Sequence, residues 1–195
     1  MRSIVLAIFL FLLGWSGPAS AEVEIHFYSK DFGSSFPHGF VRLTGTVDST
    51  GEAIDINYGF TAKRVTPAIL TGAVKGKIQT VSARYVSRSH RHFSLSLTEE
   101  QYRTVLAVVE RWRAMPQPSY ALNSRNCVFF VAEVAQALGL DAQPVPRLMR
   151  KPKGFLQKVA RDNSVLIASW NRQQLEPVAP ALTVSARETA RRSPR

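Results

Sequence analysis

The chain has 195 residues, with 25 Lys and Arg against 14 Asp and Glu, a formal net charge of +11, and 45% hydrophobic residues. This fits one globular domain with flanking termini and excludes collagenous, low-complexity and solenoid-repeat architectures. The positive excess speaks to anionic surroundings and says nothing about fold.

Residues 1–21 read as a cleaved signal peptide. Arg2 supplies the basic start, Ile4 to Leu13 an unbroken apolar run, and Ala19-Ser20-Ala21 the small-x-small cleavage pattern. Ten apolar residues are too few to span a bilayer. Loss of Arg2 lowers Lys and Arg from 25 to 24 against 14 acids, so the chain from Glu22 carries about +10. A periplasmic or secreted location follows as an expectation, with no integral membrane segment after cleavage. The expected partners are peptidoglycan or another anionic envelope component, and nucleic acid is not expected.

Val23, Ile25 and Phe27 alternate with Glu24, His26 and Tyr28, a strand of period two. A turn-rich loop, 31–37, leads to a second strand over His38 to Thr46. Asp48 to Gly51 is a turn, and Ala53 to Phe60 a third strand, forming a hairpin with the second. Thr66-Pro67 opens a short helix that stops before Gly72. Val74 to Tyr85 and His92 to Leu97 read as further strands around a basic turn, Ser87 to Arg91.

Thr98-Glu99-Glu100-Gln101 is a capping box. The helix it opens carries Tyr102, Val105, Leu106, Val109 and Trp112 at helical spacing and ends before Pro116. A second helix is predicted over Cys127 to Leu138, with Gly139 as its stop. Pro144 to Pro152 reads as an irregular basic linker and Phe155 to Arg161 as a short helix. The domain is expected over 22–171 and a basic, disordered tail over 172–195, with a helix over Val184 to Arg192 as the competing reading.

Cys127 is the sole cysteine. In an oxidising compartment a lone cysteine is a buried inert thiol, an intermolecular partner or a working nucleophile. A helix N-terminus favours negative sulfur and negative oxygen, and the Cys127 N–H would be an oxyanion donor. Such a thiol needs a base. His90 and His92 lie in a basic turn with no third ligand nearby, so no metal is expected. His26 sits in the polar register of the first strand. His38 opens a strand after a Gly/Ser loop, and Gly39 beside it lets another element approach. Asn57 is the preferred residue to orient His38, with Tyr58 and Asp55 as competitors, because sequence does not fix the strand register. Asn126 and Tyr58 are weaker candidates for holding substrate or oxyanion.

The order Ser35-Phe36-Pro37-His38-Gly39-Phe40-Val41-Arg42-Leu43, then Asn57-Tyr58-Gly59, then Tyr120 and Asn126-Cys127-Val128-Phe129-Phe130-Val131 resembles the circularly permuted branch of the NlpC/P60-like papain superfamily, over roughly residues 23 to 140. The resemblance implies an α+β permuted papain-like fold: an antiparallel sheet packed against a few helices, with the nucleophile at a helix N-terminus. It also implies Cys127 as nucleophile, His38 as general base and Asn57 or Tyr58 as third member, without cofactor. The implied chemistry is hydrolysis or transfer at amide or ester bonds. In exported relatives the usual substrates are peptidoglycan peptides, and lecithin retinol acyltransferase-like relatives act on lipids. The expected function is therefore an exported thiol hydrolase, an amidase or endopeptidase. The competing readings are an inactive envelope-binding protein with a basic surface and a lipid acyltransferase or thioesterase of the same fold.

Overall fold

The structure is a computed structural model that describes residues 23–31 and 36–173. The signal-peptide reading and residues 174–195 of the tail lie outside the described residues.

Five strands form one antiparallel sheet in the order β4-β3-β2-β1-β5. They are β1 (Val23–Lys30), β2 (His38–Thr46), β3 (Ala53–Ala62), β4 (Gly76–Gln79) and β5 (His90–Leu97). The expected hairpin is present, with Leu43 opposite Ile56 and Val41 opposite Tyr58. β2 is the central strand, and β1 lies between β2 and β5, pairing Phe27 with Val41 on one side and Phe93 on the other.

Alternation decides which face is covered. Ile25, Phe27, Val41, Leu43, Phe60 and Leu95 point to one side and are buried. There they meet the larger helices: α3 (Glu99–Arg113), α4 (Cys127–Ala137) and α5 (Pro152–Asp162). Each fully buried large apolar side chain contributes roughly 1.5–3 kcal/mol relative to exposure. α4 lies against β2 and β3, and α5 against β1 and β5. The opposite face carries a smaller cluster in which Phe40 stacks on Tyr28 at 5.2 Å and packs with Val86.

The capping box forms as expected, with Thr98 accepting from the Gln101 N–H and the Gln101 side chain accepting from the Thr98 N–H. Gly139 follows α4 at φ +81°, where a left-handed conformation favours glycine. The short helix α1 (Ala68–Thr71) begins just after Pro67.

Three elements differ from expectation. The predicted strand Val74 to Tyr85 is split. Val74 makes one bridge to Tyr120, β4 is four residues long, and α2 (Ala83–Ser87) follows. Ser82 causes the switch by capping the Tyr85 N–H. The helix predicted at Phe155 starts earlier, because Pro152 suits the first helical turn. α6 (Ser164–Gln173), not anticipated, continues past the expected domain boundary at 171. Trp170 anchors it by donating from Nε1 to the Ser96 carbonyl at 2.5 Å, and Asn171 donates to the Ser94 carbonyl at 3.2 Å.

Candidate active site

Cys127 is the first residue of α4 and is buried, 7% exposed. Asn126 caps the helix: its Oδ1 accepts from the Val128 N–H at 2.7 Å. Its Nδ2 donates to the carbonyls of Leu122 and Met149, both at 2.7 Å. The first bond caps α4, and the other two tie the Arg125–Cys127 corner to the segments around it. The Asn126 side chain thus positions Cys127 and has no amide hydrogen left for a substrate.

β2 begins beside this corner. A Cβ built on Gly39 would lie 3.2 Å from Pro152 Cβ and 3.6 Å from Val131 Cγ2, so Gly39 is where β2 meets α5 and α4. The backbone N–H groups of Gly39, Cys127 and Val128 favour charge on the Cys127 sulfur. Burial opposes them and wins, pushing the thiol up to about 11.

His38 precedes Gly39, and its side chain takes the other face of the strand. The ring lies over Gly59, where an added Cβ would be 2.3 Å from His38 Nε2, and it stacks on Phe40 at 6.0 Å. Burial pulls the imidazole down to about 4. His38 and Cys127 are thereby brought to the same end of β2 through Gly39, both neutral at pH 7. Among the described residues no hydrogen bond joins the ring to the sulfur. The negative sulfur expected from the helix start is not the resting state, because desolvation of Cys127 outweighs what the backbone N–H groups return, and desolvation alone keeps His38 neutral.

The remaining candidates have other partners. Asn57 donates from Nδ2 to the Val81 carbonyl at 2.9 Å and accepts from the Val81 N–H at 2.7 Å, clamping the segment before α2. Tyr58 is buried on the helix-facing side, and burial raises its hydroxyl. Asp55 pairs with Arg42 through two bonds of 2.8 Å. His26 bonds Ser94 Oγ at 2.7 Å and Thr44 Oγ1 at 2.8 Å, and His92 bonds Ser29 Oγ at 2.8 Å. No group of three or more His, Cys, Asp or Glu among the described residues is arranged to hold a metal ion.

Three neighbours carry no role in the sequence reading. Tyr120 stands close enough that a charge on Cys127 disfavours its own ionisation; with burial as the larger cause, its hydroxyl rises to about 12. Gln79 and Thr61 line, with His38, a cavity of about 620 Å³ rimmed by Lys63 and Lys77. Beside it Pro37, Tyr120 and Leu122 belong to an apolar groove of about 350 Å³ with Val65, Ile69 and Leu70. The two share Phe36, Thr61, Ala62 and Val65, so they form one continuous cleft. Gln79 had no sequence signal, because β4 reaches β3 only through the register Gly59 opposite Gln79.

No protein-family model, curated protein or solved structure matches the chain.

Proposed function

We propose that the chain is an exported thiol hydrolase of amide or ester bonds, with Cys127 as nucleophile and His38 as general base. One observation carries the reading: the sulfur sits at the N-terminus of α4 against the backbone N–H of Gly39, the residue next to His38. From the neutral pair, the sulfur attacks a carbonyl carbon while His38 takes the thiol proton. The oxyanion is held by the Cys127 N–H, which the helix start leaves without a carbonyl partner. The protonated His38 returns its proton to the departing amine or alcohol, and water then hydrolyses the thioester. Peptidoglycan peptides are the proposed substrates, consistent with the cationic rim. The Asn57 amide supports the wall of the cleft through Val81 in this scheme.

The reading predicts that p-nitrophenyl acetate leaves one acetyl group on Cys127, detected by intact mass, and none on Cys127→Ser or when His38→Ala is assayed at pH 7. Absence of any adduct on the wild type excludes the nucleophile role. A second reading has its own support: the thiol is buried, is raised to about 11, and has no hydrogen bond to His38. On that reading Cys127 is a packing residue and the protein an envelope-binding module. The apolar groove beside Tyr120 would suit an acyl chain, as the lipid acyltransferase alternative requires.

A further inference from the structure

Between Asp55 and Glu99 the sequence contains no acidic residue and seven Lys and Arg. Four of the seven, Lys63, Arg64, Lys75 and Lys77, are exposed on the connection between β3 and β4 and at the start of β4. None of the four forms an ion pair with a described residue. The same connection holds two of the largest exposed apolar side chains, Val65 at 61% and Leu70 at 76%. Residues 63–73 are exposed throughout except Ile69, so the connection protrudes as a finger.

We propose that this finger docks the protein on an anionic lipid bilayer. Val65 and Leu70 enter the interfacial layer, while the four cations meet phosphate head groups. Charge alone would fit any polyanion. Two large aliphatic side chains at the tip of a cationic finger have no counterpart on a water-soluble polyanion and do have one at the boundary of acyl chain and head group. The apolar groove runs from this tip past Val65, Ile69 and Leu70 to Tyr120, so docking turns the mouth of the cleft toward the lipid. The inference does not rest on the chemistry of Cys127.

The test uses the full chain with Cys127→Ala, an environment-sensitive nitrobenzoxadiazole dye on Leu70→Cys, and the same dye on Val165→Cys, an equally exposed site on α6 (80% exposed). Vesicles of phosphatidylcholine mixed with phosphatidylglycerol are compared with phosphatidylcholine alone. The proposal predicts a blue shift and several-fold brightening at position 70 with the anionic vesicles and no change at 165. Adding Lys63→Glu and Arg64→Glu raises the lipid concentration for half the response by more than about tenfold, since each basic residue near an anionic leaflet is worth roughly fivefold. A dye at 70 that stays as in water, changes just as at 165, or responds equally to neutral vesicles overturns the proposal. Because Cys127 is absent in this background, failure here is independent of failure of the thiol hydrolase reading.

Discussion

Gly59 shows how one missing side chain shapes the site. His38 occupies the volume that a Cβ at 59 would fill, 2.3 Å from Nε2. Gly59→Ala is therefore expected to expel the ring and to cost roughly 1–3 kcal/mol in strain, read as a lower urea midpoint. The same variant is expected to lose His38-dependent thiol reactivity. Retained reactivity would mean that the ring acts from elsewhere. Gly39 was legible from sequence as a close-approach position, because a small residue beside a strand-opening histidine has few other uses. Gly59 was not, because its meaning depends on which β2 residue lies over it. Alternation alone cannot give that register. The same gap explains Asn57, whose amide meets Val81 across a turn that sequence read as continuous strand.

At the scale of elements, α4 carries the site. Its start at Cys127 and its stop at Gly139 were readable from capping residues, as was all of α3. The three bonds of Asn126 were not, since one ends on the Met149 carbonyl, 23 residues away, and another on the Leu122 carbonyl of an irregular segment. Asn126→Ala removes the cap and strands one buried and one part-buried acceptor, for an expected loss of about 2–4 kcal/mol in chemical denaturation. Asn126→Asp keeps the acceptor for Val128 and should fall between. A loss below about 1 kcal/mol would show that packing of Val128, Val131 and Phe130 holds the corner unaided. The bounds of β4 inside the predicted strand, and the helices α2 and α6, were hidden from sequence. β4 is bounded by its pairing with β3, α2 is started by the local cap of Ser82 on the Tyr85 N–H, and α6 is fixed by the bond of Trp170 to Ser96, none of them by its own periodicity.

The whole molecule has a predictable pH response. Burial holds His38 and His92 down at about 4 against an ordinary 6.5, and His26 is lowered as well. Between about pH 6.5 and 4 the unfolded chain binds more protons, so stability falls as pH drops through that window. Asp31 and Asp55, lowered by Lys153 and Arg42, add to the loss in acid, though Asp31 is half exposed and Asp55 exposed, and each contributes little. Cys127 works at the other end. Raised from 9.0 to about 11, it keeps its proton in the fold, and stability declines as pH rises through that interval. Melting temperature followed from pH 4 to 11 should trace a dome. His38→Ala should flatten its acid side and Cys127→Ala its alkaline side. Among the described residues no helix is long and apolar enough to cross a membrane.

The pairing of Cys127 with His38 is the central claim, and iodoacetamide labelling of the wild type and His38→Ala across pH 4 to 10 tests it most directly. With His38 accepting the thiol proton, the wild-type rate should climb through the depressed imidazole range near 4 and hold a plateau to about pH 9. At pH 7 it should exceed His38→Ala by about a hundredfold, a general-base contribution at the low end of the usual range. Identical profiles that rise only toward the raised thiol value of about 11, or no labelling of the native protein, would contradict the pairing and leave Cys127 as a buried packing residue.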